Sequence, residues 1–93
     1  MAISFKTIDL TATNTAYQAS AFDGNVSITF LTDTACLAVL DVATSALAIT
    51  AIGNGNYVVI PANAAVRISS ANPSRVWLNP TSAGKKMSVI LGD

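Results

Sequence analysis

Apolar and polar positions alternate along several short stretches of this chain. Val26, Ile28 and Phe30 are separated by Ser27 and Thr29, with Asn25 ahead of them. A period of two places one face of a strand in a core and the other in water. Ile8 and Leu10 alternate with Thr7 and Asp9 in the same way, and Val66 with Ile68, Val76 with Leu78, and Met87 with Val89 and Leu91 repeat the pattern. Two further runs, Cys36 to Leu40 and Tyr57 to Ile60, are apolar without interruption and predict strands covered on both faces. Leu47, Ile49 and Ala51 predict one more strand, although Ala43 to Ala48 would also tolerate a helical turn.

Turn-forming residues fall between these runs. Asp23-Gly24-Asn25 precedes the Val26 strand, and Asn54-Gly55-Asn56 lies between Ile52 and Tyr57, where Asn-Gly predicts a hairpin. Pro61, Pro73 and Pro80 each end or separate a run, since proline has no N–H to give a central ladder. Ala83-Gly84-Lys85 turns the chain into its last strand. Seven to nine short strands at a spacing of eight to twelve residues predict an all-β fold, a small antiparallel β-sandwich or jelly-roll-like barrel. Residues 1–12 are expected as an N-terminal arm or an edge strand, and residues 13–93 as the sandwich domain.

Composition narrows the functional classes. The chain has 93 residues, of which 52% are hydrophobic and only 11% charged, so disorder is not expected. Five cations balance five acids, all of them Asp, and Arg67, Arg75, Lys85 and Lys86 form no basic stripe on a neutral chain. No nucleic-acid partner is expected. The longest apolar run is far too short to span a bilayer, so no membrane partner is expected either. The first residues lack the pattern of a signal peptide, which predicts synthesis in a cytoplasm. The single Cys36 has no partner for an internal disulfide and is expected in the core.

Catalytic chemistry finds few of its parts. Histidine is absent, which removes the imidazole base of serine and cysteine triads and the usual transition-metal ligand. Ser82-Ala83-Gly84-Lys85 has the Ser-x-x-Lys form but falls in an expected surface turn. Asp23, Asp33 and Asp41 could supply oxygen ligands to a hard cation, but they lack the spacing of a dedicated loop and are expected at turns and a strand end. No enzyme activity, cofactor or metal is expected. Tyr17, Tyr57 and Trp77 are the aromatic candidates for binding; Trp77 falls on the opposite face of its strand from Val76 and Leu78, where it is core under a second layer or an interface anchor.

The order of Asn14-Thr15-Ala16-Tyr17, Val26 to Leu31, a strand of small and apolar residues, Ile60 to Ile68, Arg75-Val76-Trp77-Leu78 and Ala83 to Leu91 resembles small β-sandwich virion proteins of tailed bacteriophages, the kind that decorate or cement capsids or serve as head-fibre or tail accessories. The chain departs from that pattern at Asn63-Ala64-Ala65, where a glycine turn is usual. The resemblance implies a non-enzymatic structural protein of the virion, made in the bacterial host cytoplasm. Its expected partners are other copies of itself, in a symmetric oligomer, and a phage capsid or tail protein. Low charge agrees with close packing of like subunits, since few ions must be desolvated. Ile3 and Phe5 in the arm, and Arg75 with Trp77, are the expected contact residues. The alternative is a small carbohydrate-binding module, with Trp77 and Tyr57 stacking on sugar rings.

Overall fold

The computed structural model describes residues 3–92. Residues 1, 2 and 93, at the tip of the expected arm and the end of the expected domain, lie outside the described residues. Among the described residues there are eight strands: β1 (Ser4–Leu10), β2 (Tyr17–Gln18), β3 (Val26–Thr32), β4 (Cys36–Val39), β5 (Val58–Ile60), β6 (Val66–Ala71), β7 (Trp77–Pro80) and β8 (Lys85–Gly92). One α-helix, α1 (Ser45–Gly53), separates β4 from β5, and a 3₁₀ turn (Pro73–Arg75) precedes β7.

The strands form two four-stranded antiparallel sheets. Sheet A has the order β1-β8-β3-β6 and sheet B the order β2-β7-β4-β5. Strands equidistant from α1 pair with one another: β1 with β8, β2 with β7, β3 with β6 and β4 with β5. The chain is thus a long four-rung hairpin rolled over so that β3 also meets β8 and β4 also meets β7. That connectivity is a jelly roll, the all-β class the strand pattern predicts.

The core lies between the sheets. Ile8, Leu10, Ile28, Phe30, Met87 and Val89 enter it from sheet A, and Cys36, Ala38, Ile60 and Leu78 from sheet B. These are the inward members of the alternating runs, and β3 and β8 follow the period of two along their length. Asn63 turns the chain ahead of β6 with a φ of 61°. Asparagine tolerates that left-handed geometry better than most side-chain-bearing residues, so the turn forms without a glycine.

The structure corrects three expectations. Leu47, Ile49 and Ala51 belong to α1 and not to a strand. Thr44 caps the helix, its Oγ1 accepting from the Leu47 N–H at 3.2 Å, and Asn54 closes the other end. Asn54-Gly55-Asn56 is accordingly the exit from a helix and not a hairpin: the Asn56 N–H returns to the Ala51 carbonyl at 2.8 Å, and Gly55 takes a φ of 78°. Finally, the Tyr57 to Ile60 run is not covered on both faces. β5 is the edge of sheet B, and Val58 and Val59 are 51% and 58% exposed, while only Ile60 is buried. In β4, Leu37 is half-buried and Leu40 lies beyond the strand in solvent.

Candidate interaction surface

Ile3 and Phe5 lie on the outer face of sheet A. Because Ile8 and Leu10 point into the core, the odd-numbered side chains of β1 point out, and Phe5 is 74% exposed. The register carries Phe5 across to Ile90 on β8, then to Thr29 on β3 and Arg67 on β6. Leu31 and Ile90 are exposed on the same face. Ile3 leans over Gly92, where an added Cβ would stand 3.3 Å from its Cγ1. The Arg67 guanidinium donates to Ser27 Oγ at 2.8 Å. The result is a shallow apolar strip across β1, β8 and the Leu31 end of β3, bordered on the β6 side by hydroxyls and one cation.

Arg75 and Trp77 sit elsewhere. They flank the start of β7, and Trp77 points to the outer face of sheet B because Val76 and Leu78 point inward. Both are tied to the segment that leaves β4. Arg75 Nε donates to Asp41 Oδ1 at 3.0 Å, the Val42 N–H donates to the Arg75 carbonyl at 3.1 Å, and the Trp77 indole N–H donates to the Val42 carbonyl at 2.9 Å. Asp41 takes a φ of 60° to make this approach. Trp77 is consequently half-buried with its polar handle satisfied. The four expected contact residues are thus divided between the outer faces of opposite sheets.

Tyr57 is 42% exposed beside β5, and Tyr17 packs against the core with its hydroxyl held by the Ala12 N–H at 3.0 Å and Thr11 Oγ1 at 3.1 Å. The Thr11 hydrogen bond holds the Tyr17 phenol below its ordinary range. Among the candidate acids, Asp23 accepts from Asn72 Nδ2 at 2.6 Å and fixes the loop before β3 to the 3₁₀ turn, while Asp41 is engaged by Arg75. No three acid or cysteine side chains converge among the described residues. Ser82 lies in the exposed turn before β8, and Lys85 is the exposed first residue of that strand. No helix among the described residues is long and apolar enough to cross a membrane.

A second apolar surface is missing from the expectations. Leu40, Tyr57 and Val58, with Ala38, Val39 and Ala51, line an open recess of about 340 Å³ between β4, β5 and α1. The helix beside it buries only Ala48, and Leu47 and Ile49 are 54% and 38% exposed. A helix with no polar face is ordinarily enclosed on all sides. One signal was present in the sequence: residues 42–66 contain no charged side chain. Comparison of the chain with family models, with curated proteins and with solved structures finds no match.

Proposed function

We propose that this chain is a non-enzymatic structural protein of a virion, one that decorates or cements a phage capsid or joins its head or tail as an accessory. The observation that carries the reading is the apolar strip of Ile3, Phe5, Leu31 and Ile90 on the outer face of sheet A. Rigid strands present these side chains at fixed spacing, so a complementary shell surface meets a preformed face with little ordering cost. A single strip of this size supports weak adhesion, and many copies on a repeating lattice add those contacts into firm attachment. A jelly roll is compatible with this role but also with lectins and enzymes, so the reading rests on the surface and not on the fold.

The test is immunogold electron microscopy of particles from the culture that produces the chain, together with Phe5→Asp. Regular surface label that falls at least about tenfold with the folded variant supports attachment through sheet A. Particles without label, with the chain found only in the soluble fraction, overturn it. The sugar-binding alternative draws support from the exposed ring of Tyr57. It predicts that Tyr57→Ala loses glycan retention while the fold survives.

A further inference from the structure

We infer that the open edge of sheet B is a homodimer interface, in which β5 of one copy pairs antiparallel with β5 of a second. A jelly roll leaves four strand edges, and an unprotected edge is a template for pairing. Three of the four are guarded by a charge, a bulge or a length of two residues. β1 places Lys6 on the same side of the strand as Ile8 and Leu10, so a charge stands at the rim of the core. β6 carries Arg67 and a register shift, in which the step from Val26 to Ile28 on β3 spans Ala71 to Ile68 on β6; such a bulge distorts the free edge. β2 is only two residues long.

β5 is one residue longer than β2 and is closed by Pro61, but it has neither charge nor bulge. Its sequence is Val58-Val59-Ile60, its outer side meets no strand among the described residues, and it lies within the uncharged stretch 42–66. Pro61 follows at once and ends the ladder, which limits the pairing to one short rung instead of a growing sheet.

The occupant that fits is a second copy. An antiparallel pair is related by a two-fold axis, so β5 is its own complement, with Val59 at the middle of both strands. No cation or anion lies in residues 42–66 to select a charged partner, and none must be desolvated when like meets like. Leu40, Tyr57, Val58 and Val59 are each 41% to 58% exposed. Together they offer roughly 350–400 Å² per copy, so with the strand edges and one flank of α1 a dimer loses about 1,000 Å², the lower bound of a specific interface. The dimer is accordingly weak and reversible. This inference does not depend on attachment to a particle, which uses the opposite sheet.

Light scattering on the purified chain between about 1 μM and 1 mM reads the equilibrium directly. The expected mass rises from the 9.5 kDa monomer toward twice that value. Val59→Lys, at a site 58% exposed, keeps the melting midpoint and far-ultraviolet spectrum of the parent and stays monomeric throughout. Ser69→Lys on the β6 edge leaves the dimer intact. Val59→Cys, but not Ser69→Cys, forms a disulfide-linked dimer under mild oxidation. A monomer at every concentration overturns the inference, as does a dimer that survives Val59→Lys or dissolves with Ser69→Lys. Loss of particle label in Phe5→Asp without change in the dimer, or the reverse in Val59→Lys, separates the failure of one proposal from that of the other.

Discussion

Asn79 is 6% exposed on β7, and its Oδ1 is buried with no hydrogen-bond partner among the described residues. A buried amide left unpaired costs about 1–3 kcal/mol relative to one that is satisfied. Asn79→Leu keeps nearly the same side-chain shape without that debt, and we expect it to raise stability by about 1 kcal/mol in urea titration. Cys36 gives a different test. Burial pushes its thiol up, more than the Thr32 hydrogen bond draws it down. Its folded pKa therefore lies above the unfolded one, and the protein's stability from this residue is full below the ordinary thiol range and lost as pH rises through it. Denaturation midpoints should fall with alkaline pH, and Cys36→Ala should flatten that decline. The native thiol should also react with a thiol reagent about 100-fold more slowly than in denaturant.

At the scale of elements, α1 is held by few buried side chains. Its nine residues bury one alanine, and its start depends on the Thr44 cap. Thr44→Ala should cost about 1 kcal/mol, and amide exchange should be faster in α1 than in β3 or β8. The same weakness explains what the sequence conveyed. β3 and β8 were legible because each has one buried and one wet face, and such strands alternate. α1 was not, because Ser45 to Gly53 has no charged face to set a helical period, and its Leu-x-Ile-x-Ala spacing copies that of a strand. For β5 the residues predicted the strand but not its place, since Val-Val-Ile reads alike under a neighbouring layer and at an open edge. Of the surface, Ile3 and Phe5 were expected as contacts of an N-terminal arm; the parity of Ile8 and Leu10 puts them on the outer face of sheet A, but Leu31 and Ile90 beside them were not foreseen. The recess by α1 was not, because it joins residues from two strands and a helix.

For the molecule as a whole, pairing is almost entirely between distant parts of the chain. β1 meets β8 from Ser4 with Leu91 to Leu10 with Lys85, and local hairpins contribute little. Non-local sheets of this kind fold on the scale of milliseconds to seconds, which stopped-flow refolding of the monomeric Val59→Lys variant would measure without interference from association. A rate in the microsecond range would mean that α1 or a local hairpin nucleates more than its contacts suggest.

The placing of β7 and β8 has a consequence for how the protein is made. Both are interior strands, β8 between β1 and β3 and β7 between β2 and β4, yet both are made after the six strands they join. Until they emerge, β1 and β2 have no neighbours, and the apolar faces of β3 and β4 lie open to other nascent chains. Synthesis stopped after Thr81 should yield not a loosened sandwich but an unfolded, aggregating chain, visible as loss of the far-ultraviolet β signal. Closure of the sandwich therefore waits on β8: a polysome making many copies holds many unfinished chains side by side, and the centre of each can close only once its β8 has emerged.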